Sequence, residues 1–401
     1  MGRRTVNTVG IATAPSLLRR AIPPGRIVGL DLARTLALVG MMATHLYLPL
    51  SGTRSSTAHQ LFAGRASALF AVLAGLSLAL VTGRTTPIRG RERAARSVGI
   101  VVRAVIIYAL GQWLARRGST IAVILPVYAA MFVAMIPFLG WRPRNLAALA
   151  AGWIVIGPIL LTWLQPNWPD WDVAGWFTVT ELLIDGVYPG VVWLPYFWVG
   201  LALGRLDLTK PRTAVRLGVG GAALAMAATL VSDRLLLRTE ILQKLADDMA
   251  TDNIQAVHQF LNHGLFGFIP GGTNWWLATV APHSGTPFDL TQTIGAAMAA
   301  IGVCLLIGRA APRLVAVAGG AGAMSLTMYT LHVLMFTPEI WPDDVSSSFP
   351  IHLGVVLGVG ALFRVAGWRG PLESAVSWCS TLAAKLTRTT IDHTADGTRT
   401  S

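Results

Sequence analysis

The chain has 401 residues, with 32 Lys and Arg against 19 Asp and Glu and a mean hydropathy of +0.58. Charged residues make up 13% of it, about half the roughly 25% of a soluble domain, and the apolar residues are gathered into long runs. That excludes a soluble globular protein and predicts an all-α polytopic membrane helix bundle.

In chain order, runs near the roughly 20 apolar residues that a bilayer core requires fall at about 27–48, 66–83, 98–115, 120–139, 146–164, 187–204, 214–233, 291–308, 314–336 and 350–367. This predicts about ten transmembrane helices. The first run is too long for a signal-peptide core and no small-residue cleavage site follows it, so it is read as a span. Two more stretches, 173–186 and 263–281, are short or broken by Gly and Pro. They read as re-entrant or interfacial pieces, and either one as a span would make eleven. Between 240 and 260 the pattern is that of an amphipathic surface helix, and Trp275 and Trp276 suit the headgroup level. The domain plan is a basic segment 1–26, a transmembrane domain 27–367, and a tail 368–401 that begins as an amphipathic helix and ends disordered.

Cytoplasmic loops are rich in Lys and Arg, and that rule places both termini in the cytoplasm. Alternate loops are then basic or acidic, so the net charge of +13 reports topology and not a nucleic-acid footprint. The expected partner is the lipid bilayer. With Cys304 and Cys379 the sole cysteines, there is no disulfide framework and no thiolate metal cage. No HxxxH or HExxH spacing occurs, and no metal site is predicted.

Ionisable residues inside spans mark function by default. Asp31 and Arg34 share a face of the first span and are read as a structural ion pair. Eleven residues on, close to a whole number of turns, His45 lies on the same seam, where an imidazole can serve as general base or acyl acceptor. All histidines except His393 fall on or near the outer face in this topology, among them His59, His283, His332 and His352. Arg65 opens the second span. In the ninth span Ser325, Tyr329 and His332 stand at i, i+4 and i+7. These residues predict an outward-facing polar chamber. On the inner side Arg84, Arg89, Arg91, Arg93 and Arg96 crowd one loop; they anchor topology, and they also suit the phosphates of a donor such as an acyl-CoA.

The stretch Gly29-Leu-Asp-Leu-Ala-Arg-Thr-Leu-Ala-Leu-Val-Gly-Met41, followed by Gly64-Arg-Ala-Ser-Ala-Leu-Phe70, resembles the heparan-alpha-glucosaminide N-acetyltransferase family, and in particular its bacterial relatives of actinobacterial type. Val192-Trp-Leu-Pro-Tyr-Phe-Trp-Val-Gly200, Pro282-His-Ser-Gly-Thr-Pro-Phe288 and Met324-Ser-Leu-Thr-Met-Tyr-Thr-Leu-His332 are similar to later signatures of the same family. The resemblance implies acetyl transfer across a membrane, from cytosolic acetyl-CoA to an amino sugar on the opposite face, with an active histidine in the first outward loop. His59 is the histidine of that loop, and His45 lies just before it. Where the family has an acidic residue entering the second span, Gly64-Arg65 stand here.

The expected protein is therefore a multi-pass acyltransferase of a bacterial cell membrane, with an acyl-CoA as co-substrate and no bound cofactor. Its acceptor would be a sugar-like or glycolipid hydroxyl or amine, and a homodimer remains open. His45 and His59 are the catalytic candidates, and Arg65, His283, His332 and Tyr329 would bind the acceptor. Arg89, Arg91 and Arg93 would hold donor phosphates. The alternative is a transporter or lipid-handling protein in which the same groups form a proton-coupled path.

Overall fold

The structure, a computed structural model, describes residue 22 and residues 25–47, 56–168, 177–340 and 348–397; no strand occurs among them. The N-terminal basic segment, the start of the loop after Pro49, the run 169–176 and the last four residues lie outside the described residues. The first half of the chain forms α1 Val28–Leu46, α2 Thr57–Phe62, α3 Arg65–Val81, α4 Gly90–Ala115, α5 Leu125–Ala134, α6 Pro143–Asn167 and α7 Gly190–Gly204. The second half forms α8 Pro211–Leu236, α9 Thr239–Asp248, α10 Ile254–His263, α11 Pro287–Ala310, α12 Pro312–Ala318, α13 Gly320–Ala323, α14 Ser325–Met335, α15 Phe349–Ala366 and α16 Pro371–Gly397.

Six helical stretches are long and apolar enough to cross a membrane: Thr57–Val81, α4, α6, α8, α11 and α15. They differ in how much they are enclosed. Thr57–Val81 buries 67% of its most apolar stretch, whereas α8 and α15 each bury 22% and leave residues such as Val219, Met226 and Leu362 on the outside. An apolar helix with an uncovered apolar flank needs lipid, so α3 belongs to the centre of the bundle and α8 and α15 to its rim.

The other expected spans are shorter. α7 has 15 residues, about 22 Å at a rise of ~1.5 Å per residue, and nearly all of it is buried. It packs against α3 through Gly200, where an added Cβ would stand 2.0 Å from the Val72 carbonyl oxygen. Small residues at such crossings let backbones meet where lipid offers no hydrophobic drive. The run 120–139 becomes α5 and a 3₁₀ turn over Ile136–Gly140. The run 314–336, expected as one helix, is broken into α12, α13 and α14. Gly322 explains the break: a Cβ there would stand 2.0 Å from the Asp31 carbonyl, and its N–H donates to Thr35 Oγ1 at 2.9 Å. The glycine-rich turn is wedged against α1, and broken helices at membrane depth persist where protein covers them.

The segment expected to carry one amphipathic surface helix at 240–260 carries two, α9 and α10, separated by a turn. With the chain up to Ala281 they enclose their own small core, including Leu245, Val257, Leu261 and Trp276. Trp276 is therefore not a headgroup anchor: it is fully buried, and its indole N–H donates to Asp248 at 2.6 Å. The stretch 263–281 is irregular apart from a 3₁₀ turn at Asn274–Ala278 and forms no span. In the C-terminal part, α16 continues to Gly397, past the point where disorder is expected. It packs along α4, with Gly99 against the Ser380 carbonyl.

Candidate functional site

His45 sits in the last turn of α1, and His59 in α2, whose N-terminus Ser56 caps by accepting from the His59 N–H. Gly64 turns the chain between α2 and α3 with φ +73, a left-handed conformation that favours glycine. Its N–H donates to Nε2 of His283 at 3.2 Å. His283 itself has φ 56. Its carbonyl accepts from the Gly267 N–H at 2.8 Å, and its ring stacks on Phe266. Together His45, His59 and His283 line a cavity of about 200 Å³, with Thr44, Tyr188 and Tyr329 among its other walls.

The roles of the imidazole nitrogens follow from their partners. Because Nε2 of His283 accepts, its proton sits on Nδ1, and that atom is buried without a hydrogen-bond partner. Burial, and then the proximity of His59, pull the His283 pKa down to about 4, so the ring is neutral near pH 7. His59 is 3% exposed, with the backbone of Asn262 and His263 beside its ring. The unpartnered Nδ1 of His283 leaves donor capacity unspent in a small cavity, a costly arrangement that suits a ligand site.

His45 is half-buried. Its Nδ1 lies 3.1 Å from Nε2 of His332, and the two ring planes are within 6° of each other. Nδ1 of His332 lies in turn 3.2 Å from Nδ1 of His352. His332 is therefore behind His45 and lines no part of the cavity, which is not where an acceptor-binding group belongs. His352, in the first turn of α15, joins the site through tertiary structure alone; no spacing in the sequence connects it to His45.

Arg65 is likewise turned away. It donates to the Gln60 and Leu61 carbonyls, at 2.5 and 3.1 Å, and the Gln292 amide oxygen, when turned toward the guanidinium, accepts at 2.5 and 3.0 Å. Near it stands an acid that the sequence does not place at the second span. Asp289, in the first turn of α11, is 3% exposed, accepts from the Gly285 N–H at 2.9 Å and faces Gly64 and Arg65. A buried carboxylate thus stands beside Gly64 and Arg65, contributed by another helix.

Tyr329 is the wall shared with a second cavity, of about 270 Å³. Its hydroxyl accepts from the Ile124 N–H at 3.3 Å. The second cavity is lined by Arg34, Ser77, Arg103, Tyr128 and Glu373 among others. A third, of about 180 Å³, shares Ser77 and Arg103 with it and adds Arg96, Ser377, Ser380 and Thr381 between α4 and α16. Arg103 Nε is buried without a hydrogen-bond partner, and the guanidinium lies over the Phe132 ring. Glu373 is committed: its carboxylate accepts from the Leu326 N–H at 2.6 Å and from the Thr327 N–H and hydroxyl at 3.2 and 2.6 Å, capping α14 from α16.

Asp31 pairs with Arg34 at 3.1 Å, and also with Arg26 at 2.6 Å and Arg364 at 3.5 Å. One buried carboxylate holding three guanidiniums is a structural clasp between α1 and α15. Arg34 reaches further, donating to Ser77 at 2.9 Å. Arg89, Arg91 and Arg93 lie exposed where α4 begins and line none of the three cavities. From that basic run, Arg96 lines the third cavity and Arg84 lines a separate one. Among the described residues, no group of three or more His, Cys, Asp or Glu is arranged to hold a metal ion.

The profile of the heparan-alpha-glucosaminide N-acetyltransferase catalytic domain matches residues 26–237. The chain belongs to that family. Membership, together with six membrane-length apolar helices, makes it a membrane protein and suggests a membrane acetyltransferase. A comparison with curated proteins gives no match. The matched region contains His45, His59 and Arg103 but ends before His283, His332 and His352. Three of these five histidines therefore come from the part of the chain that follows the family match.

Proposed function

We propose that the protein is an acyltransferase of a bacterial cell membrane, moving an acetyl or other short acyl group from a cytosolic acyl-CoA to a hydroxyl or amine of a sugar-like or glycolipid acceptor at the opposite face. The observation that carries this is the pair of cavities meeting at Tyr329, walled by imidazoles on one side and by guanidiniums on the other. With both termini cytoplasmic, as the distribution of Lys and Arg implies, the arginine cavities open inward and the histidine cavity outward.

In this reading Arg34, Arg96 and Arg103 balance donor charge, and the exposed Arg89, Arg91 and Arg93 draw the donor's phosphates toward the entrance. The acceptor occupies the histidine cavity. That cavity is smaller than the roughly 300–1,000 Å³ of a typical ligand pocket, which suits one sugar ring and not an oligosaccharide. Nε2 of His45, the nitrogen not engaged by His332, takes the proton of the attacking hydroxyl or amine. The acceptor oxygen or nitrogen bonds to the thioester carbonyl carbon, the carbon–sulfur bond breaks, and CoA leaves as the thiolate. His59 is the second base, or a transient acyl carrier. The Nδ1–H of His283 is a donor for the acceptor.

The test is purified protein with labelled acetyl-CoA and an amino sugar, read as label on the sugar or on the protein. Replacement of the true base lowers transfer by about 100- to 10,000-fold. If His45→Ala and His59→Ala both keep the wild-type signal, neither imidazole takes part. Sugar uptake into sealed vesicles without acyl-CoA would favour permeation over transfer.

A further inference from the structure

α15 is closed by Gly367, whose left-handed φ of +74 turns the chain toward α16. The turn holds Trp368, Arg369 and Gly370. With Arg26, which precedes α1, and Arg364, in the last turn of α15, these residues wall a cavity of about 130 Å³. Three guanidiniums line this small space, and no carboxylate among the described residues does. Arg26 and Arg364 both lean on Asp31, but Asp31 also serves Arg34, so one negative charge answers three positive ones. Arg364 is 7% exposed. Among the described residues its sole hydrogen bond is the 3.5 Å contact with Asp31, and its Nε has no partner. A guanidinium carries five N–H donors, and leaving most of them unused at that depth is costly. Arg369 is exposed and adds a charge outside the Asp31 cluster.

We infer that this cavity binds the phosphate of an anionic lipid, taken from the leaflet on the side of Arg84 and Arg89. Guanidiniums match phosphate oxygens with paired N–H donors, and basic pockets between membrane helices take lipid headgroups. The cavity lies at the right end of the bundle: Arg84 donates at 3.2 Å to the carbonyl of Gly25, the residue before Arg26. Its volume is far below the roughly 300–1,000 Å³ of a typical ligand pocket, which suits one phosphate group and not a nucleotide. The surroundings call for lipid. Leu362, two residues before Arg364, is exposed, and Trp368 is 64% exposed. The Trp368 N–H donates to the Phe363 carbonyl at 2.9 Å and its ring packs edge-on to Phe363, a fixed indole of the kind that sits at headgroup level. On α16 the exposed Trp378, Leu382 and Leu386 stand at i, i+4 and i+8, while another face of the helix packs on α4 at Gly99. A helix with an uncovered apolar stripe of this sort lies in the headgroup plane. Because α16 begins directly after Gly370, the cavity opens at the depth of lipid phosphates.

The experiment follows the melting temperature of the full-length protein in detergent as phosphatidylglycerol is added, with phosphatidylcholine as the uncharged comparison. Phosphatidylglycerol should raise it saturably, as a ligand of the folded state does, and phosphatidylcholine should not. Arg369→Gln should increase the phosphatidylglycerol concentration at half-effect about fivefold, the usual worth of one arginine at a headgroup. Arg364→Met together with Arg369→Gln should remove the shift. Arg144, exposed at the start of α6 and outside this cavity, supplies the control: Arg144→Gln should stay within about twofold of wild type. An equal response to both lipids, a response undiminished in Arg369→Gln, or an equal loss in Arg144→Gln would each overturn the site. The same shift from inorganic phosphate or from CoA at matched concentration would assign the cavity to a free phosphate or to the donor, and overturn the lipid. Arg369 is exposed and outside the Asp31 cluster, so its single replacement decides the matter even if the double variant is unstable. Neither the site nor its test depends on acyl transfer.

Discussion

Replacing Asp31 by Asn should destabilise the bundle more than any other single change in its ion cluster. The carboxylate is 2% exposed and accepts from Arg26 at 2.6 and 3.1 Å, from Arg34 at 3.1 Å and from Arg364 at 3.5 Å. Asn keeps the shape and removes the charge, which leaves three guanidiniums facing one another. Their side chains are 33%, 18% and 8% exposed in that order. Water can therefore relieve Arg26 but hardly Arg364. Taking away one member of a buried ion pair costs about 3–5 kcal/mol because the partner stays behind uncompensated. Arg26→Ala removes only the exposed partner and should cost about 0–1 kcal/mol. Arg364→Met replaces a buried cation by an apolar chain while Asp31 keeps two partners, which should also stay within about 1 kcal/mol. The assay is the stability of the detergent-solubilised protein, compared across the wild type and the three variants. Asp31→Asn within about 1 kcal/mol of wild type, or Arg26→Ala equally damaging, would refute the reasoning.

Two further outcomes follow from single residues. Glu373→Gln weakens the carboxylate that caps α14, at about 1 kcal/mol, or a factor of ~5 in local opening. The half-buried Cys379 on the same helix should then react several-fold faster with a maleimide, and an unchanged rate would mean that the cap does not hold α16. For His283, burial lowers the folded-state pKa to about 4 from 6.5, so the unfolded chain binds the extra proton first as pH falls. Stability should therefore decline from about pH 6.5 toward pH 4, and His283→Asn should flatten that slope by about 1–3 kcal/mol; identical pH profiles would contradict the assignment.

The membrane character of the chain was legible because a bilayer selects on length and apolarity, and α4, α6, α8 and α11 fall where the hydropathy runs predict them. The break at Gly319–Gly322 was not, because hydropathy registers a glycine as mildly apolar and does not register that a bare backbone fits against α1. Trp276 misled for a related reason. An indole suits both an interface and a small core, and only the packing of α9 and α10 decides between them. At the site, residues flagged on their own chemistry came together: His45, His59 and His283 share one cavity, and Tyr329 lies at its boundary. What stayed hidden is pairwise. Asp289 brings a buried carboxylate to Gly64 and Arg65 from another helix, and His352 completes a row with His332. Arg103 gains a purpose only beside Arg34 and Arg96. No periodicity encodes such meetings between helices.

The central claim is that a group passes from the arginine side of Tyr329 to the histidine side. Sealed vesicles with the protein in a single known orientation test it directly, with labelled acetyl-CoA on one side and glucosamine on the other. Labelled N-acetylglucosamine should form only when acetyl-CoA is on the side of Arg89–Arg96, and it should accumulate in the opposite compartment. Product that forms only when both reagents share one compartment, whichever side that is, would contradict the account.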